Sequence, residues 1–264
     1  MATAVATICV SATGLVGCGQ TRSPVAEVSS APSADPADPR AQLAARAAAA
    51  KDRRFVAAYA LTRPGQHGQA VAVTIARDAT WRVDIQGGAL GGTTDIALVG
   101  RPDGQYQCVL NTSPVDNGCV KVAANGRRLQ AGVDPQVQYP FTGWLDVLTD
   151  PSVAVAVTVT TGIPNVAGTC FAVEPTTVTL APPIPSSVFC FTDDGTMTAT
   201  RAAFGTLVIS GPPTDPPATA SLPGQIVPRA PLQTGAPPAT PSSPAGSTAK
   251  PSVKPTTPSS SRRP

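Results

Sequence analysis

The sequence predicts a mainly β domain of the α+β class, and three observations carry that expectation. About eleven stretches alternate apolar and polar residues with period two. Gly, Pro, Asn or Asp punctuate the gaps between them. Only two segments space their apolar residues as a helix does.

The first helix starts at Asp38-Pro39, with Asp as N-cap and Pro at the first helical position, and leads into "RAQLAARAAAAKDRR". Six strand candidates follow: "RFVAAYALT", "QAVAVTIAR", "TWRVDIQ", "TTDIALVG", "QYQCVLN" and "GCVKVAA". They read as an antiparallel meander. Between Pro135 and Asp150 the period changes. Val137, Phe141, Trp144, Leu145 and Leu148 recur at helical spacing and predict a second helix with one apolar face. A second strand set closes the domain: "SVAVAVTVTT", "GTCFAVEP", "SVFCFTDD", "TMTATRAAF" and "GTLVIS", with Asp194-Gly195 marking a hairpin. The stretch "GGALGG", residues 87 to 92, lacks the Lys and following helix of a phosphate-binding loop and reads as a flexible turn.

Composition bounds this domain. All eleven aromatic residues lie between Phe55 and Phe204, while fifteen of the 30 prolines lie after residue 210. A core needs large apolar side chains to offset backbone ordering, so residues 41–210 are expected to fold and residues 211–264 to form a disordered Pro/Ser/Thr-rich tail. At ~3.1 Å per residue in polyproline geometry, that tail reaches roughly 170 Å. It suits O-glycosylation, contact with a cell-wall polymer, or a passive spacer role. Up to residue 210 there are 14 Lys and Arg against 15 Asp and Glu; the tail has 5 against 1. The net +3 therefore resides in the tail, and the balanced domain carries no electrostatic footprint for nucleic acid.

The N-terminus predicts location. The apolar run "TAVATICVSATGLVG" is too short to span a bilayer ~30 Å thick and has the length of a signal-peptide core. It ends at Leu15-Val16-Gly17-Cys18, which resembles the bacterial lipobox, where the cysteine thiol is acylated and becomes the mature N-terminus. Residues 1–17 are then a lipoprotein signal peptide, and residues 18–40 are the lipidated Cys18 and a flexible linker. No Lys or Arg precedes Arg22, so the basic segment of a working signal is either encoded upstream or missing. Two or three acyl chains on one cysteine hold a protein stably, at ~0.8 kcal/mol per buried CH₂. The expected location is a lipid anchor on the extracytoplasmic face of the cell membrane.

Four further cysteines fall in the domain: Cys108, Cys119, Cys170 and Cys190. An even number in an exported chain reads as disulfides, and of three connectivities Cys108–Cys119 and Cys170–Cys190 join neighbouring strand candidates. No Cys-x-x-Cys occurs and the one histidine, His67, sits in the turn-like "RPGQHGQ", which argues against zinc and against a Ser-His-Asp or Cys-His centre. Asp193 and Asp194 are explained by hairpin chemistry. The expectation is a protein without catalytic residues, metal or cofactor.

A lipobox, a helix, about eleven short strands and an internal helix segment, with stretches such as "WRVDI", "GTCFAV" and "VFCFTDDGTMTA", resemble the LolA-like envelope proteins, including lipoproteins of the LppX and LprG type. The resemblance covers residues 41 to 210 and rests on element order. It implies a strongly curved, unclosed antiparallel β-barrel wrapped around helices, enclosing an apolar cavity that accepts acyl chains. Trp81, Val83 and Ile85 on one strand, with Phe141, Trp144 and Leu145 on the internal helix, are the candidates to line it. The implied role is binding of a lipid or other hydrophobic ligand in the envelope. The family also contains sensors that regulate anti-sigma factors, which gives the alternative of a module binding an envelope protein. The paired cysteines depart from the family pattern.

Overall fold

The computed structural model describes residues 38–110, 117–177 and 182–235. Cys18 and the lipobox lie outside the described residues, as do residues 236–264 of the Pro-rich tail.

Two meanders form one sheet. The first runs β1 (Phe55–Thr62), β2 (Gln69–Ile75), β3 (Trp81–Ala89), β4 (Thr94–Arg101), β5 (Gly104–Val109) and β6 (Gly118–Ala123). The second runs β7 (Val155–Thr160), β8 (Thr169–Pro175), β9 (Ser187–Phe191), β10 (Met197–Ala202) and β11 (Gly205–Ile209). They join where β11 pairs antiparallel with β1, Leu61 opposite Leu207 and Tyr59 opposite Ile209. A twelfth strand, β12 (Gln225–Ile226), adds to β6 in parallel, giving the order β12-β6-β5-β4-β3-β2-β1-β11-β10-β9-β8-β7. The sheet does not close, since β12 and β7 remain its two edges.

Two helices cover one face. In α1 (Pro39–Asp52), the Asp38 carboxylate accepts from the amides of Arg40 and Ala41, so the cap and the proline fix the start together. Leu43 and Ala47 are its buried positions. The Arg40 guanidinium donates to the carbonyls of Asp150, Pro151, Val153 and Val155, tying α1 to the entry of β7. The second helix, α2 (Gly143–Thr149), is half the expected length. Pro140 within the preceding 3-10 turn, the positive φ of Gln136 (63°) and the non-helical Thr142 (φ −134°, ψ −111°) break the segment into short turns. The apolar face survives the breaks, because Val137, Phe141, Trp144, Leu145 and Leu148 are all buried.

The inward positions of the strands meet these helices in one core. Ile96 of β4 and Phe171 of β8 belong to the same buried cluster as Trp144 and Leu145. Seven strand spacings separate β4 from β8, about 34 Å in a flat sheet, whereas a seven-residue helix spans about 10 Å. The sheet therefore curls around the helices. Aromatic contacts fill the centre: Tyr59 on Phe141 at 5.0 Å, Trp144 on Phe189 at 6.0 Å and Trp144 on Phe204 at 6.1 Å between ring centroids. The Tyr59 hydroxyl donates to the Met197 carbonyl, so its one polar atom is satisfied inside the core.

Both expected disulfides are present, Cys108–Cys119 across β5 and β6 and Cys170–Cys190 across β8 and β9. Each joins residues directly opposite in the strand register. The 192–196 turn forms the expected β9–β10 hairpin, with Gly195 at φ +80°. A Cβ there would lie 2.5 Å from the Ala50 nitrogen, so glycine is what lets this turn touch the end of α1.

The domain boundary at residue 210 and the disordered tail expected from residue 211 require correction. Residues 211–235 lie along the sheet. Thr214 exchanges main-chain hydrogen bonds with Val56; Pro217 and Ala218 accept from Arg77 and Asp78; Ala220 donates to the Thr80 hydroxyl. Leu222 then covers an outer-face cluster of Ala97, Val99, Tyr106 and the Cys108–Cys119 pair. This cover explains why every residue of β5 is buried, a pattern that an outer face open to water would not give. After β12 the chain passes over the sheet edge to the inner face, where Leu232 packs on the main core. This strap also changes the reading of "GGALGG". Its residues end β3 irregularly and form a 3-10 turn, and Leu90 and Gly91 donate to the carbonyls of Gln233 and Thr234 at 2.8 and 3.0 Å.

Candidate functional site

A cleft of about 590 Å³ opens between α2, the ends of β2 and β3, and the loop that leaves β6. Its size falls within the ordinary range for small-molecule sites. The apolar wall comes from two directions. Ile75 and Trp81 are cross-strand partners at the β2–β3 turn, and Phe141, Trp144, Leu145 and Val147 come from α2 and the turn before it. Both tryptophans of the protein, Trp81 and Trp144, border this one space.

Local sequence positions each ring. Trp81 stands opposite Gly100 in the β3–β4 register, and a Cβ on Gly100 would fall 2.1 Å from the indole. The ring therefore occupies the space a side chain at residue 100 would need, a role for glycine that no composition or periodicity signal announces. Trp144 is held by three rings: Phe189 edge-on, Phe204 stacked and Tyr139 tilted at 5.8 Å. Tyr139 is fixed in turn: its hydroxyl donates to Asp134 at 2.7 Å and accepts from the Leu129 amide at 3.3 Å. Burial, reinforced by the Asp134 carboxylate, raises the tyrosine pKa well above its ordinary value and keeps the phenol neutral.

The rim is polar and cationic. Lys51 and Arg54 reach it from the end of α1, and Arg127 and Arg128 from the loop after β6. Lys51 is paired with Asp146 of α2 at 2.6 Å. Arg54 donates to the carbonyls of Lys51 and Arg53, and Arg128 to those of Pro182 and Pro183. Gln105, buried in β5, donates to the carbonyls of Ala124 and Arg127 and so holds the loop over the cleft. Among the described residues no carboxylate pairs with Arg54, Arg127 or Arg128.

Of the six lining candidates, the structure brings Trp81, Phe141, Trp144 and Leu145 together around the cleft. Val83 and Ile85 are fully buried in the closed core behind it and do not line the space. The cationic rim has no counterpart in the sequence expectations. Its members fall in two pairs, Lys51 with Arg54 and Arg127 with Arg128, more than 70 positions apart, and only the fold brings the pairs to one opening.

Elsewhere, His67 is exposed in the β1–β2 turn. Asp193 pairs with Arg46 at 2.7 Å, and Asp194 with Arg53 at 2.7 Å. Both carboxylates thus join the β9–β10 turn to α1. Among the described residues no three His, Cys, Asp or Glu side chains cluster where they could hold a metal ion, and no helix is long and apolar enough to cross a membrane. No protein-family model matches this chain, and no curated protein sequence matches it.

Proposed function

We propose that this protein is an exported lipoprotein, anchored through an acylated Cys18 to the extracytoplasmic face of the cell membrane, that binds a lipid or other hydrophobic ligand without catalysis. One observation carries the ligand part of this reading: the open apolar cleft that holds both tryptophans. The core behind it is filled, so the cleft is a surface opening in which Ile75, Trp81 and Val147 are the part-exposed apolar side chains and Phe141, Trp144 and Leu145 form the buried floor. A ligand that covers this lining gains by removing it from water. The unclosed sheet curled around two helices is the architecture that the LolA-like resemblance implies, with the cleft where an acyl chain would enter. The lipobox-like Leu15–Cys18 stretch supports the anchor.

The second reading, a module that binds an envelope protein, is favoured by the far edge of the sheet. Strand β7 carries no charged residue, has no strand beyond it among the described residues, and exposes 55% of Val159.

Native mass spectrometry tests the ligand reading on the full chain bearing Cys18→Ser, expressed in an oxidising cytoplasm, followed by organic extraction. Stoichiometric acyl lipid supports it. A clean apo mass that also takes up no added lipid overturns it and turns attention to β7. Mass spectrometry of the N-terminal peptide tests the anchor separately: the wild type should begin at an acylated Cys18, whereas the Cys18→Ser chain should carry no acyl group.

A further inference from the structure

We propose that the cleft selects an anionic amphiphile, with the acyl chain against Trp81 and Trp144 and a phosphate or carboxylate headgroup at Arg127 and Arg128. The inference rests on the ligand reading above and adds the charge of the headgroup. Up to residue 210 the chain is almost neutral, with 14 cationic against 15 acidic side chains, yet four of those cations converge on this one opening. Asp146 neutralises one of them, Lys51.

The other three keep their charge uncompensated. Arg54 and Arg128 are oriented by main-chain carbonyls, which fix a guanidinium without cancelling it, and Gln105 fixes the loop that carries Arg127 and Arg128. Arg127 is exposed, so its N–H fork is free to face a ligand. A guanidinium recognises phosphate or carboxylate through paired N–H donors, and such charge-assisted bonds are about twice as strong as neutral ones. Four other clefts, beside Arg63, Pro212, Arg46 and His67, hold at most one Lys or Arg each.

Quenching of the two tryptophans reads the test directly. Lysophosphatidate and lysophosphatidylcholine carrying the same dibrominated acyl chain are titrated, below micelle formation, into the full Cys18→Ser chain and into the same chain with R127Q and R128Q. The expected result is quenching by both, with lysophosphatidate bound at least about tenfold more tightly, a difference of about 1.4 kcal/mol. In R127Q/R128Q that preference should vanish, because lysophosphatidate binding weakens far more than that of lysophosphatidylcholine, whose phosphate is offset by its own choline; unchanged circular dichroism is the control for an intact fold. Equal affinities in the parent chain overturn the headgroup assignment and leave the hydrophobic-ligand reading standing. No quenching by either lipid overturns both. Inorganic phosphate that displaces lysophosphatidate at equal concentration assigns the cations to a free anion and overturns the lipid headgroup.

Discussion

Gln107, buried in β5, forms a two-way clamp with Leu232, which lies 125 residues later in the chain: its Nε2 donates to the Leu232 carbonyl at 2.9 Å and its Oε1 accepts from the Leu232 amide at 2.6 Å. A glutamine side chain here mimics a strand neighbour. It satisfies both main-chain groups of a half-buried residue in a segment that has come over the sheet edge to the inner face.

The clamp predicts that the strap is part of the folded unit. Gln107→Ala removes two bonds and strands two main-chain groups, so a loss of about 2–3 kcal/mol is expected in urea denaturation followed by circular dichroism. Chains ending at residue 235 and at residue 210 separate the contribution of the strap from that of residues 236–264. The first should unfold at the same urea concentration as the full chain. The second loses β12 and uncovers Ala97, Val99 and Tyr106, and should unfold much earlier or fail to fold. Equal midpoints for the two truncations would contradict the assignment.

Much of the fold is legible in the sequence because strands buried on one face write their period into the chain. Val71 and Val73 point in while Ala70 and Ala72 point out, and the Asp38-Pro39 start needs only local chemistry. The strap is illegible for the opposite reason. It is held by main-chain hydrogen bonds that any residue can make, with few apolar side chains such as Ala220, Leu222 and Leu232 to betray its packing. Proline there is compatible with order, since carbonyls such as that of Pro217 need only accept. The cleft is half legible. Its apolar wall follows from the spacing of Phe141, Trp144 and Leu145, but periodicity cannot distinguish a lining residue from a buried one, which is why Val83 and Ile85 fall on the wrong side of the wall.

The two disulfides should resist reduction in the native state and contribute separately to stability. Cys108, Cys119 and Cys190 are fully buried and Cys170 nearly so, leaving a reductant no access without opening the sheet. Cys-to-Ser replacement of either pair should cost roughly 3 kcal/mol. The cross-links span 11 and 20 residues, so the Cys170–Cys190 pair should contribute about 0.5 kcal/mol more by loop-closure entropy. Maleimide labelling after reductant, with and without denaturant, checks the protection. Labelling of all four thiols in the native protein would refute it.

Asp194 predicts an acid-dependent loss of stability at the β9–β10 turn. The Thr192 hydroxyl, then the Thr196 amide and hydroxyl and the Arg53 guanidinium, hold its carboxyl at about 2, below the ordinary 3.8, against the opposing effect of partial desolvation. A carboxylate whose folded pKa is depressed stabilises fully above its unfolded value and ceases to do so as pH falls through the folded one. The contribution is therefore complete above about pH 4 and disappears toward pH 2. Because 60% of the side chain is exposed, solvent screening limits it to a few tenths up to about 1 kcal/mol. Other carboxylates titrate over the same range, so the informative quantity is the difference in unfolding free energy between wild type and Asp194→Asn. That difference should be constant from pH 7 to about 4 and shrink toward zero by about pH 2. A difference that persists unchanged at pH 2 would place the stabilisation in the shape of the turn, with Gly195 against Ala50, and not in the charge of Asp194.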